Sequence, residues 1–454
     1  MDKGHKLFSR IDRGFLSNML KIALPIMIQN LVTSSLNMAD TIMVGKLGEV
    51  EIAAVGIANQ YFFFFSMILV GLCSGCSVFI SQYWGKKDFE NIKRMLGLGL
   101  VSVLLVSIVF MALGFINPGK IISFFNKDST VIHLGGKYLS IVIFSYIFTG
   151  ITLIYSFSLR SIGNTIVPLI VNIAALLFNV FFNYILIFGK FGAPALGVEG
   201  AAIATLIARV VEAIILVFIV YKDNGVFAAK LTELKDLNLD FLRKSYWIIL
   251  PVLLNDVLWA MASLIYSVVY GRMGTGATAA VQICNTVSNM FMVVGFGLAS
   301  ASAIMIGNSI GEGKEEQVID YAKKFMGVSL FVSIILGLGL SITAPYILDL
   351  FNVSNEVRRS TLIMLYIISF IFIVRFSGMV IIVGILRGAG DARSALIIEG
   401  STMWLIGVPL TIMGAFLFKL PVHQVYALAI LEEVAKFTLG LMRLKSRKWI
   451  NNIT

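Results

Sequence analysis

Apolar stretches of about twenty residues recur along the whole chain, separated by short polar or charged segments. A helix of that length, at 1.5 Å per residue, crosses roughly 30 Å of hydrocarbon. Twelve such stretches centre near Gln29, Met67, Leu104, Phe144, Ala175, Ile207, Trp259, Met292, Ser333, Phe370, Trp404 and Ile430. The pattern predicts an all-α membrane protein with twelve transmembrane helices. The segment after Arg13 is too long for a signal-peptide core and lacks a small-residue cleavage site, so it reads as the first span.

The chain also repeats itself. With Pro25 placed on Pro251, an offset of 226, Val44-Gly45-Lys46-Leu47-Gly48 falls on Tyr270-Gly271-Arg272-Met273-Gly274. Ala53-Ala54-Val55 then falls on Ala279-Ala280-Val281, Gly85 on Gly311, and Phe125-Asn126 on Phe351-Asn352. One more residue of offset puts Leu159-Arg160-Ser161-Ile162-Gly163-Asn164 on Leu386-Arg387-Gly388-Ala389-Gly390-Asp391, and Arg209 on Lys436. Six helices per copy is an even number, so the copies share one orientation, and a cleft between two such bundles is the expected substrate path. The expected organisation is an N-terminal six-helix lobe over residues 1–221, a charged cytoplasmic linker over 222–244, and a C-terminal six-helix lobe over 245–454. Pro25 and Pro251 each remove a helix hydrogen bond and offer a kink.

Composition agrees: 58% of the 454 residues are apolar and 13% charged, against roughly 25% charged in soluble proteins. The formal net charge of +11 is topological. Both ends lie on one side of an even number of spans. That side holds 23 basic residues, among them Lys3, Lys6, Arg10 and Arg13 before the first span and Arg443, Lys445, Arg447 and Lys448 after the last; the opposite loops hold nine. Both termini are therefore expected in the cytoplasm of a cell bounded by its plasma membrane. The positive charge meets anionic lipid there, and nucleic acid is not an expected partner.

Several chemistries find no support. There is no Walker A sequence; Gly311-Glu312-Gly313-Lys314 resembles a fragment of one but reads as a turn after a helix. The three histidines, His5, His133 and His423, lie in tails or at helix ends, so neither a metal site nor a catalytic residue is assigned and an enzyme is not expected. Cys73 and Cys76 form a lone C-x-x-C that reads as small packing residues. A secondary transporter remains, with no cofactor besides a coupling ion.

Ionisable residues inside spans are costly and each is a functional candidate. Asp40 lies 15 residues after Pro25, near the outer end of the first span. It reads either as a carboxylate that takes up Na⁺ or a proton, or as a helix-end cap. Asn172, Asn179 and Asn183 share one face of the fifth span, as a polar site or as interhelical glue. Asp256 follows Asn255 on the seventh span and reads as a second cation site or a neutral hydrogen-bonded acid. Arg209 with Glu212, and Glu432 with Lys436, have the spacing of intrahelical ion pairs; Arg375 and Glu399 need partners on other helices. Trp259, Tyr266 and Tyr270 recur on one face and are candidates for holding flat cations. The run Tyr61-Phe62-Phe63-Phe64-Phe65 points in all directions and reads chiefly as packing.

The segments Met38-Ala39-Asp40-Thr41-Ile42-Met43-Val44-Gly45-Lys46-Leu47-Gly48, Gln82-Tyr83-Trp84-Gly85, Gly197-Val198-Glu199-Gly200-Ala201-Ala202-Ile203-Ala204-Thr205 and Leu386-Arg387-Gly388-Ala389-Gly390-Asp391 together resemble the multidrug and toxic compound extrusion (MATE) family over essentially the whole chain. The resemblance implies a cation-coupled antiporter for organic, often cationic and aromatic compounds, with two six-helix bundles in a V. It also implies an N-lobe ion site of Asp40, Asn179, residue 183 and Thr205. Many members carry Asp where this chain has Asn183, and the acid of their seventh span lies nearer Trp259 than Asp256 does. The expectation is an antiporter exporting amphipathic organic cations in exchange for H⁺ or Na⁺, working as a monomer in the bilayer. The alternatives are a flippase for lipid-linked saccharides, which needs an unneutralised basic cavity, and a channel or receptor-like protein.

Overall fold

The computed structural model describes residues 12–223, 225–234, 238–349, 351 and 353–454. Lys3, His5, Lys6, Arg10, Lys235 and Asn352 lie outside them. The long helices are α1 (Arg13–Gly45), α2 (Glu49–Lys86), α3 (Phe89–Ile116), α4 (Ser129–Val142 and Ser145–Ser161), α5 (Ile166–Phe188), α6 (Gly197–Lys222), α7 (Leu239–Arg272), α8 (Thr275–Gly311), α9 (Glu315–Leu348), α10 (Asn355–Leu386), α11 (Ala392–Leu417) and α12 (Val422–Lys445). Among the described residues ten helices are long and apolar enough to cross a membrane, and the two parts of α4, bent by 52°, add an eleventh span. The bend falls at Ile143 and Phe144, at the expected centre of the fourth span. α12 is the twelfth long helix and carries Glu432 and Lys436, both buried, and Glu433, partly buried, at its middle.

Local chemistry places the helix ends. Asp88 accepts the Asn91 N–H at 3.1 Å to cap α3, and Asp128 accepts the Thr130 and Val131 N–H groups at 2.8 and 3.2 Å to cap α4. The repeat is visible in the backbone: Gly163 and Gly390 close their equivalent turns at φ 84° and 77°, a left-handed conformation that glycine adopts without a Cβ clash. Lys87 and Gly313, again one repeat apart, take φ 61° and 73° after α2 and α8. The turn read at Gly311-Glu312-Gly313-Lys314 is one, closed by the Gly313 and Lys314 N–H groups donating to the Ile310 and Ser309 carbonyls at 2.9 and 3.0 Å.

Two compact units divide the chain at the prolines. One is Pro25–Ile249; the other joins Met1–Leu24 to Leu250–Thr454. The start of α1 thus packs within the second unit, where Phe15 meets the rings of Phe325 and Tyr321 at 5.1 and 5.6 Å and Lys324 reaches Asp12 at 2.9 Å. The start of α7 packs within the first, where the Tyr246 and Ser102 hydroxyls are 2.7 Å apart and Arg94 lies over Phe241. α1 and α7 each cross from one unit to the other at Pro25 and Pro251.

The described residues of the charged segment 222–244 pack against the first unit. Phe227 and Ala229 are buried, the Tyr221 hydroxyl donates to the Ala229 carbonyl, and a short helix at Leu231–Leu234 lies against α3. There the Leu234 carbonyl occupies the space where a Cβ on Gly97 would stand, and Lys93 binds Glu233 at 2.8 Å. Elsewhere in the first unit the aromatic run behaves as packing: Phe65 stacks on Tyr146 at 4.3 Å, and Tyr61 donates to the Phe110 carbonyl.

Candidate functional site

In the first unit, polar residues from α1, α4, α5 and α6 converge. α5 and α6 pack along their lengths, which turns the asparagine face of α5 inward. Asn179 and Asn183 are buried there, and Asp40 is half-buried against them. The Asn183 amide donates to Asp40 Oδ1 at 2.5 Å and to Asn179 Oδ1 at 2.9 Å, while its own oxygen has no partner. Tyr138 of α4 lies against Thr205, with Asp40 and Arg209 in electrostatic range. Asp40, Asn179 and Asn183 are therefore brought together, with Thr205 linked to them only through Tyr138, and Asp40 is not a helix-end cap. Asn172, two turns before Asn179, is buried and keeps an unpartnered oxygen.

Charge is balanced in this cluster except at Asp40. Arg209 is held by Glu212 at 2.7 Å, the intrahelical pair that their spacing predicts. Asp40 has no ion-pair partner among the described residues. An ionised carboxylate lacking one in a low-dielectric interior costs several kcal/mol, and one proton or one monovalent cation removes that cost.

In the second unit the pairing differs from the spacing. Lys436 does not bind Glu432; it reaches Glu399 and Glu433, each at 3.3 Å, because Glu399 on α11 and Glu433 on its own helix lie on the side it faces. Arg375 takes the other side of Glu433 at 3.6 Å, so Arg375 and Glu399 find their partners across helices. Asn255 donates to Glu399 at 2.6 Å. Arg387, which the hydropathy pattern assigns to a loop, is buried and binds Asp256 at 2.6 Å. Asp256 is thus a charge-balanced acid and not an open cation site. Glu432 instead accepts a 2.7 Å hydrogen bond from Tyr266.

The aromatic face of α7 is also divided. Tyr270 is buried in the apolar core beside Tyr426, Tyr266 is committed to Glu432, and Trp259 is exposed. The three do not form one open wall, because α12 and the core of this unit cover the last turns of α7. Tyr138 and Arg387 are site residues that the spacing did not single out. For Arg387 a signal existed in its repeat position, since Arg160 is its counterpart.

Comparison with known proteins bears on the family and the fold. The MatE family model matches residues 25–185 and 251–413, two segments whose starts are the repeat offset apart. A probable multidrug resistance protein NorM of Thermotoga maritima is 24% identical over 438 residues, covering 95% of this chain and 92% of that protein. The probable multidrug resistance protein YoeA of Bacillus subtilis is 26% identical over 415 residues, covering 88% and 87%. Among solved structures, a MATE protein in the bent conformation superposes with a TM-score of 0.87 at 19% identity over 95% of this chain and 96% of that one. The Vibrio cholerae MATE transporter VcmN superposes with 0.86 at 20% identity over 96% and 98%. The repeated fold and the matched segments establish that this chain belongs to the MatE family of membrane transporters.

Proposed function

We propose that the protein is a secondary active antiporter that exports amphipathic organic cations in exchange for H⁺ or Na⁺, with Asp40 as the coupling carboxylate. The observation that carries this reading is the charge balance of the first unit: Arg209 is paired with Glu212, and Asp40 has the Asn183 amide as its hydrogen-bond partner and no base within ion-pair distance among the described residues, with Arg209 acting on it only from further off. Binding of a positive charge there stabilises one conformation over another by the electrostatic cost it removes, which is what coupling requires. Asn179, Asn183 and Thr205 orient the carboxylate and complete its oxygen set. The multidrug resistance names of the relatives support organic compounds as cargo. The excess of basic residues beside both termini supports an orientation with both ends in the cytoplasm.

A flippase for phosphate-bearing lipids needs basic residues free to meet the phosphate. Here Arg209, Arg375, Arg387 and Lys436 each have a carboxylate partner, and Arg160 lies over the Phe157 ring with its Nε unpartnered, so four of these five basic residues are already neutralised, which weighs against that reading. The test is expression in a pump-deficient cell. The chain should raise resistance to cationic dyes, and Asp40→Asn, made at equal membrane abundance, should return it to the empty-vector level. Undiminished resistance in Asp40→Asn removes Asp40 from the coupling step.

A further inference from the structure

The repeat places a second, inverted version of the Asp40 site in the other unit. Tyr266 stands one offset of 226 from Asp40, and Glu432 one offset of 227 from Thr205. In the first copy the acid is on the first helix and the hydroxyl on the sixth. In the second copy the hydroxyl is on the first helix and the acid on the sixth, and the two are joined by a 2.7 Å hydrogen bond. The side chains have exchanged places while the backbone positions are kept.

The surroundings are built for this pair. Gly407 ends a π-helical turn, Met403–Gly407, in α11, and such turns are frequent at functional sites. A Cβ on Gly407 would run into both the Glu432 carboxylate and the Tyr266 hydroxyl. The pair therefore rests on bare backbone. The first copy has Val180 at the position of Gly407, within an unbroken α-helix, so this space belongs to the second copy alone.

Charge counting points to the same residue. The groups gathered from α7, α10, α11 and α12 are four acids, Asp256, Glu399, Glu432 and Glu433, and three bases, Arg375, Arg387 and Lys436. Glu399, Glu433 and Asp256 each hold a base within 4 Å, and Glu432 holds none among the described residues. Of its other neighbours Tyr266 and Tyr270 carry no charge, and Lys436, one turn on, acts on it from beyond ion-pair distance while bound to Glu399 and Glu433. One acid in excess in a buried cluster calls for one bound positive charge. A metal cation of hard character takes about six oxygens, whereas Glu432 has only the Tyr266 hydroxyl beside it, and the Gly407 carbonyl already accepts from Thr411. A proton needs no such shell.

We propose that Glu432, held by Tyr266 against Gly407, is a second proton-binding carboxylate of this transporter and exchanges its proton independently of Asp40. The proposal does not rest on the coupling role of Asp40, and its failure leaves that role untouched. When the proton binds, Glu432 becomes the donor of a neutral carboxyl, and the Tyr266 hydroxyl is free to turn and accept from it. When the proton leaves, the geometry seen here is restored, with Tyr266 donating.

The test is infrared difference spectroscopy of the reconstituted full-length protein as the bulk pH is swept, following the carbonyl band of protonated carboxyl groups. A titrating carboxyl band should be lost in Glu432→Gln, retained in Asp40→Asn, and moved in frequency in Tyr266→Phe, which removes its hydrogen-bond partner. Glu432→Gln keeps the shape and neutrality of the protonated acid, so it should melt no lower than the parent. If Glu432→Gln fails to fold, Tyr266→Phe carries the test alone. A spectrum unchanged in both variants, or a titrating band lost only in Asp40→Asn, overturns the proposal.

Discussion

Asn183 donates its side-chain amide to the Asp40 carboxylate at 2.5 Å and so places a donor where a coupling cation would otherwise sit. The same amide bridges to Asn179, which leaves its own oxygen unpartnered. A neutral amide thus stands in for a positive charge, and on the proposed reading any cation bound at Asp40 has to displace or rotate it.

Replacing that amide by a second carboxylate changes the balance. Asn183→Asp sets two acids side by side, which share one proton or bind a cation more tightly than one acid does. Thermal melting of the purified protein with Na⁺ against a large organic monovalent cation checks this. The variant should gain several degrees from Na⁺, by mass action on the folded state, and the parent should gain clearly less. An equal gain in both means that residue 183 does not face the cation.

The Arg387–Asp256 pair is buried on both sides, at 6% and 16% side-chain exposure. Arg387→Gln strips a buried acid of its base and adds to the acid excess of the cluster. The expected cost is about 3–5 kcal/mol. The double variant with Asp256→Asn should recover most of it, because both charges are then gone. Denaturant or heat melting of the two variants gives the comparison, and a double variant as unstable as the single one refutes the pairing.

The linker is fastened by Glu233, whose carboxyl the Lys93 ammonium and the Lys230 N–H hold below its ordinary range. A depressed carboxylate contributes stability above its unfolded-state range and loses it as the pH falls through its folded value. Fastening should therefore be complete at neutral pH and weaken in acid. Cleavage within residues 222–244 by an acid-tolerant protease reports it: Glu233→Gln should be cut faster than the parent at neutral pH, with the difference closing at low pH. Gly97→Ala should also speed cleavage, at every pH, since its Cβ meets the Leu234 carbonyl.

What the chain discloses before folding follows from which interactions are periodic. Spans, repeat and turns are written in hydropathy and in glycine positions such as Gly163 and Gly390, so helix number and duplication are legible. The Arg209–Glu212 pair is legible too, because its partners are three residues apart. Partner choice across helices is not. Lys436 has three acids within reach, and the packing of α11 selects Glu399 and Glu433 over Glu432. Arg387 reads as a loop charge because a lone arginine beside glycines looks solvated, whereas its side chain reaches inward to an acid 131 positions earlier. The asparagine face of α5 is readable from spacing, but its convergence on Asp40 depends on how α1 and α5 meet.

The same limit applies to the helices that cross between units. Pro25 and Pro251 are conspicuous in the chain as breaks in hydrogen bonding. That the residues before them pack with the other unit depends on contacts such as Phe15 with Phe325 and Tyr246 with Ser102. Phe15→Ala should cost about 3 kcal/mol by removing a fully buried ring, measurable as a lowered melting temperature without loss of the membrane-inserted fold.

The central claim, that a positive charge bound at Asp40 drives export, is tested most directly by efflux of a fluorescent organic cation from proteoliposomes under an imposed pH gradient or an imposed Na⁺ gradient. The account predicts uphill movement under at least one of the two gradients for the parent, and under neither for Asp40→Asn, which should still bind the dye. Uphill efflux by Asp40→Asn at the parental rate, or downhill movement alone in the parent under both gradients, would contradict it.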